Sequence, residues 1–251
     1  MKKKVTFTNN VGHDLAAIIE LPVEEPKSYA LFAHCFTCNK NLTAIKNISR
    51  ALNKCGIAVF SFDFTGLGES EGEFENTNFS SNVDDLVSAA NFLKTNYSAP
   101  EILIGHSLGG AAVVFAAQQI SGVKAVATIG APSNPKHVSH LFKSGIDEIN
   151  EKGEALLEIG GRAFKVQKQF LDDINKKNME EVLQSLKLPL LVLHSPQDKT
   201  VGIENAAQIY KAAWHPKSFI SLDGATHMIS SKRDSLYVGQ MIANWSERYI
   251  S

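Results

Sequence analysis

Cysteine is scarce: three residues in a chain of 251, an odd number that makes no disulfide framework and fits a reducing cytoplasm. Long apolar runs are absent as well. None approaches the roughly 20 residues that cross a bilayer, which excludes a membrane-spanning helix. The lysines at positions 2–4 lead into the polar "VTFTNNVGHD" and not into the apolar core of a signal peptide. There is no excess of charge of one sign. With 25 Lys+Arg against 26 Asp+Glu and a net charge of −1, no broad basic field points to nucleic acid or to acidic lipid. Internal repeats and low-complexity tracts are missing too.

What remains is a globular α/β pattern of a length that one domain commonly has. The opening predicts a hairpin, "KVTFT" and "DLAAIIEL", across "NNVGH". "SYALFAHC" (28–35) and "IAVFSFD" are short, nearly all-apolar strands of the kind covered on both faces. Between them "LTAIKNISRALNKCG" has helical periodicity and stops at Gly56. "SNVDDLVSAANFLKTNY" is a second helix with Ser81 or Asn82 as N-cap. A strand over 101–105 then enters a helix over 107–120. "VKAVATIG", "LPLLVLHS", "ENAAQIYKAAW", "KSFISL" and a helix from about Ser231 to Tyr249 complete the chain. Strands alternating with helices predict a mainly parallel sheet with helices on both faces. Residues 133–187 interrupt the rhythm. They hold helical stretches and a hairpin, "ALLEIGGRAFKV", turning at Gly160–Gly161. An insertion of this length suggests a cap, so the expected organisation is a core of 1–132 and 188–251 with a cap at 133–187.

Gly105-His106-Ser107-Leu108-Gly109 fits the nucleophile-elbow pattern G-x-S-x-G in its strand–turn–helix setting. The glycines matter because the serine backbone is strained there and neighbouring side chains would collide. A serine hydroxyl needs a base, normally a histidine oriented by a carboxylate. "LLVLHSPQDKTV" runs off an apolar strand into a loop with Asp198, and "SFISLDGATHMI" off the next strand into a loop with His227. Such strand-end loops gather at one edge of a parallel sheet. Asp223 and Glu204 are alternative acids, although Asp223 is only four residues from His227. His215, beside Pro216 and ahead of the penultimate strand, suits the surface better. An oxyanion needs two preplaced N–H donors. One is expected from Leu108 at the helix start, the other from Phe36 in the loop "HCFTCN".

"ALFAHCFTCNKNLTA", "FDFTGLGESEGEF", "NFSSNVDDL", "IGHSLGGAAV", "HSPQDKTVGIENAA" and "HPKSFISLDGATH" together resemble the α/β-hydrolases. More narrowly, they resemble the hydrolase half of bacterial proteins that fuse such a domain to an OsmC-like one. The resemblance covers nearly the whole chain. It implies the α/β-hydrolase fold and a Ser107–Asp198–His227 triad, and it supports Phe36 and Leu108 as oxyanion donors. Cinnamoyl and feruloyl esterases are similar in layout, usually with His-Gly where this chain has His34-Cys35.

Several features have rival explanations. Cys35-x-x-Cys38 is either a pair of structural loop residues or a redox pair next to the oxyanion donor, and no second CxxC completes a zinc site. "GLGESEG" has the glycines of a phosphate loop but leads into "EFENTN" and not into a helix N-terminus; Asp63 is expected to tie it down. Phe142 and Phe164 could line an acyl or aryl pocket, but buried packing accounts better for both. The expected activity is cleavage of a small carboxylic ester through an acyl-enzyme, without metal or organic cofactor. A thioesterase or an aminopeptidase-like amide hydrolase would share the triad, and Glu151, Glu154 or Glu158 would be acids to hold a substrate amine. The alternative from another class is a non-catalytic binding module partnering a separate OsmC-like protein.

Overall fold

Apolar runs too short for helices and too continuous for one-sided strands end up as the buried centre of one sheet. The computed structural model describes residues 1–159 and 161–250. Its strands are β1 (Lys2–Thr8), β2 (Asp14–Glu20), β3 (Ser28–Ala33), β4 (Ile57–Phe62), β5 (Ile102–His106), β6 (Ala125–Ile129), β9 (Leu190–His194) and β10 (Lys217–Ser221), in the order β1-β2-β4-β3-β5-β6-β9-β10. β1 pairs antiparallel with β2 and β2 antiparallel with β4, and every later pairing is parallel. All residues of β4, β5, β6 and β9 are buried, as strands covered on both faces must be. Solvent reaches the edge strands: Lys2, Lys3 and Lys4 lie exposed on β1, and Phe219 and Ser221 on β10.

The helices divide between the faces. α1 (Thr43–Lys54) and α8 (Lys232–Ser246) pack together on one, burying Ile45, Ile48 and Leu52 with Val238 and Ile242. α2 (Phe79–Asn96) and α3 (Leu108–Ala116) cover the other, where Phe79, Leu86 and Leu93 meet Val113 and Val114. α2 begins earlier than the sequence predicts. Its N-cap is Asn78, whose side chain accepts from the Ser81 N–H while Ser81 Oγ accepts from the Asn78 N–H, both at 2.9 Å. The added turn buries Phe79 completely, which outweighs the capping chemistry available at Ser81 or Asn82. α8 starts where expected, with Ser231 as its N-cap.

Between β6 and β9 the chain folds a short 3-10 segment (Pro135–Phe142), α4 (Ile146–Lys152), the hairpin β7 (Glu154–Ile159) and β8 (Arg162–Gln167), α5 (Lys168–Asn175) and α6 (Met179–Ser185). β7 and β8 form a separate two-stranded sheet with Ile159 opposite Arg162. Of the expected turn, Gly160 lies outside the described residues. Among the described residues no helix is long and apolar enough to cross a membrane. Every parallel strand ends on the same edge, and the loops that follow β3, β5, β9 and β10 meet there.

Candidate active site

The turn after β5 settles why glycines flank Ser107. Ser107 has φ 56° and ψ −127°, a left-handed conformation rare for a side chain with a Cβ. Its N–H donates to the Ile129 carbonyl (2.8 Å) and its carbonyl accepts from the Gly110 N–H (2.8 Å), so the turn is fixed on both sides. A Cβ on Gly105 would lie 2.2 Å from the Gly109 carbonyl oxygen, and one on Gly109 would lie 2.3 Å from that of His34. Both glycines are therefore demanded by packing, and the result of that packing is a serine held out at the start of α3, which begins at Leu108.

His227 Nε2 lies 3.0 Å from Ser107 Oγ, and His227 Nδ1 lies 2.7 Å from Asp198 Oδ2. Three side chains separated by up to 120 positions thus form one hydrogen-bonded line. With the carboxylate as acceptor, the ring proton sits on Nδ1 and Nε2 is free to accept from the serine hydroxyl. The other carboxylate oxygen, Asp198 Oδ1, accepts from the N–H groups of Thr200 (2.8 Å) and Val201 (2.9 Å). Burial alone would raise the Asp198 pKa, but the hydrogen bonds from His227 and from these backbone amides outweigh it and hold the carboxyl below its ordinary value. The alternatives are placed elsewhere. Asp223 accepts from the Gln197 side chain at 3.0 Å, Glu204 opens helix α7 (Glu204–Ala212), and His215 is exposed.

Two supports at this site are not visible in the letters. His106 Nε2–H donates to the His227 backbone carbonyl at 2.8 Å, pinning the histidine loop to the elbow. His106 is buried, and burial first, then the neighbouring His227, pushes its pKa down to about 4. Gly130 (φ 55°) lies beneath the acid–imidazole pair, where a Cβ would stand 3.3 Å from Asp198 Oδ2 and 3.5 Å from His227 Nδ1. Only its position after β6 hinted at it.

The loop after β3 is tied at several points. Cys35 and Cys38 form a disulfide, with Cα atoms 5.4 Å apart, the bond that the redox-pair reading of Cys35-x-x-Cys38 requires, although the three cysteines make no wider framework. Three residues of separation permit the bond once the loop turns, and the Cys38 N–H donates to the Cys35 carbonyl at 3.2 Å. Thr37 takes a φ of 60°. Its carbonyl accepts from the Arg162 guanidinium, which reaches in from β8. Beyond the bridge, buried Lys40 bonds Asp63 through both its backbone N–H (2.6 Å) and its ammonium, and the ammonium also meets Glu69 at 2.9 Å. Asp63 further accepts from the Glu69 N–H (2.9 Å), so it does tie down the "GLGES" loop as expected. Among the described residues, no acceptor pairs with the N–H of Phe36 or of Leu108.

An open cleft of about 470 Å³ lies over Ser107 and His227, lined by Phe36, Leu108, His137, His140, Ile159 and Arg162 among others. Phe142 and Phe164 do not line it, which corrects the pocket reading in favour of the packing one. Phe142 is fully buried behind Phe36 (5.9 Å between centroids) and against Phe170 (5.7 Å). Phe164 packs on Phe74 at 4.8 Å. Aromatic area in this region goes into holding the Phe36 loop against the insertion, and Phe36 alone of the three rings reaches the cleft.

Residues 24–165 match the family described as serine aminopeptidase, S33. The chain belongs to this family. The matched stretch contains Ser107 and ends before Asp198 and His227, so for those two the geometry above stands by itself. The S33 chain is also 50% identical to the esterase domain of a Rhodothermus marinus protein, over 100% of both chains, with a TM-score of 0.83. It superposes on Est1E from Butyrivibrio proteoclasticus, solved with ferulic acid bound, with a TM-score of 0.78 at 20% identity over 98% of each chain. The rat monoglyceride lipase is 30% identical over 100 residues, 39% of this chain and 32% of that one. Together with the sheet order, these likenesses make the architecture an α/β-hydrolase fold, as the sequence resemblance implied.

Proposed function

We propose that this protein is a serine hydrolase that cleaves small carboxylic esters through an acyl-enzyme. The observation that carries the proposal is the Ser107–His227–Asp198 line, at 3.0 and 2.7 Å. In the proposed cycle His227 Nε2 takes the Ser107 proton as Oγ attacks the ester carbonyl. Asp198, kept ionised by its hydrogen bonds, stabilises the imidazolium that forms. The Phe36 and Leu108 N–H groups receive the oxyanion; among the described residues neither has an internal acceptor, and Leu108 stands at a helix start, where amides are left unpaired. His227 then returns the proton to the departing alkoxide, and water, activated by the same ring, releases the acid. The 50% identity to an esterase domain supports an ester over other acyl substrates.

The amide-hydrolase alternative finds little support in the cleft. No Asp or Glu lines it among the described residues, so a substrate ammonium would meet no carboxylate. Glu154 is instead paired with Lys165 at 3.1 Å, and Glu151 and Glu158 are exposed. The test is steady-state hydrolysis of 4-nitrophenyl acetate and butyrate beside an aminoacyl nitroanilide. Turnover of the esters that disappears in Ser107→Ala supports the proposal. Preference for the aminoacyl amide would replace it with the peptidase alternative, and absence of any turnover would favour a binding module.

A further inference from the structure

Among the described residues, the cleft is lined by one guanidinium and no carboxylate. Arg162 lines it at the start of β8. It stands directly opposite Ile159 in the hairpin register, so the two side chains share a face, and Ile159 lines the cleft as well. Glu158, one position earlier, alternates to the other face and is exposed. The guanidinium carbon lies 5.2 Å from the centroid of Phe164, within cation–π range, and one N–H is given to the Thr37 carbonyl. An arginine has five N–H donors, so donors remain for a ligand. Among the described residues no carboxylate lies within ion-pairing distance of Arg162. The nearby Glu75 and Glu154 are both held by Lys165, at 3.4 and 3.1 Å. The other basic side chains of the lining are histidines, and burial biases His137 toward its neutral form.

A cation without an anionic partner, held over a ring and anchored to the loop that carries Phe36, is a ready receptor for a planar anion. We propose that Arg162 is a specificity-determining residue, and that the esters this site prefers carry a carboxylate, in the acyl part or in the alcohol part. This rests on the ester-hydrolase function proposed above. Chemically the substrate would be a half-ester of a dicarboxylic acid or an acylated hydroxy acid, and in either case the charge lies away from the scissile bond.

Two matched pairs of esters separate the alternatives: 4-nitrophenyl hydrogen glutarate against 4-nitrophenyl pentanoate for the acyl side, and 4-acetoxybenzoate against its methyl ester for the alcohol side. Each kcat/KM ratio is corrected for the hydroxide-catalysed rates of the two esters. In one pair the anionic member should be favoured by about tenfold at low salt, the size expected of a single partly exposed charge-assisted contact. The advantage should shrink at about 0.5 M NaCl. Arg162→Gln should bring that ratio near one whatever its absolute rates, and Arg162→Glu should turn it below one. Because Arg162 also holds the Thr37 carbonyl, a merely structural role would lower both members equally and keep the ratio; that result overturns the proposal. A wild-type ratio at or below one in both pairs also overturns it while leaving the ester hydrolase intact. Failure of all four esters to exceed the Ser107→Ala background would remove the activity itself, and the inference with it.

Discussion

Replacing His106 by Gln should make the protein markedly less sensitive to mild acid. His106 is buried beside His227, and its pKa is pushed from the usual 6.5 to about 4, chiefly by burial. A histidine whose folded pKa lies below its unfolded value is protonated more readily in the unfolded chain. Its contribution to stability is therefore complete above about pH 6.5 and is lost as the pH falls toward 4. At about 1.4 kcal/mol per pH unit the full loss is roughly 3 kcal/mol, with about 2 kcal/mol already gone at pH 5. For a chain of this size that corresponds to about 4–8 °C in melting temperature. Gln retains an N–H near the position of Nε2, able to donate to the His227 carbonyl, but does not titrate. The assay is thermal unfolding of wild type and His106→Gln at pH 8 and pH 5. The other acid-sensitive groups, including buried His34, are common to both proteins and drop out of the difference. Between the two pH values wild type should lose about 4–8 °C more than the variant. Equal losses would refute the assignment of His106 as a buried neutral donor.

Lys40→Met should destabilise the fold by about 3–5 kcal/mol in urea denaturation, because it strands the fully buried Asp63 carboxylate. Adding Asp63→Asn to it should restore part of that loss, and additive losses would contradict the pairing. Cys35→Ser with Cys38→Ser removes the bridge across the loop that carries Phe36. The kcat for 4-nitrophenyl acetate should fall by up to about tenfold, a partial loss of one oxyanion donor, with a smaller change in KM; unchanged kcat would separate the disulfide from catalysis. Asp198→Asn should lower kcat on the order of 10⁴-fold while leaving the melting temperature at neutral pH within a few degrees. A change of only a few-fold would indicate that the ring at position 227 does not depend on this acid.

The parts of the site that could be read in the letters are those where a local rule coincides with a global one. Gly105 and Gly109 mark the elbow because a tight strand-to-helix turn and the close approach of α3 to β3 both exclude a Cβ there. Asp198 and His227 stand just past apolar runs, and in a parallel sheet those ends share an edge. What escaped depends on distances that no local pattern encodes. The Cys35–Cys38 pairing stayed one of two readings, because the bond requires a turn in the loop, which two intervening residues permit but do not impose. The His106 bond to the His227 carbonyl spans 121 positions, and the Arg162 bond to Thr37 spans 125. Phe142 and Phe164 were legible as apolar but not as to which surface they would fill, since a pocket wall and a core layer ask for the same residue type. The early start of α2 at Asn78 shows the same limit. Burial of Phe79 decided the boundary over two serviceable caps further on.

The most direct measurement is mass spectrometry of the intact protein and its peptides after exposure to a fluorophosphonate at neutral pH. Stoichiometric modification confined to Ser107, abolished in Ser107→Ala and slowed by orders of magnitude in His227→Ala, is the predicted result. A folded wild-type protein that stays unmodified, or one that is labelled equally fast without the imidazole at 227, would contradict the account.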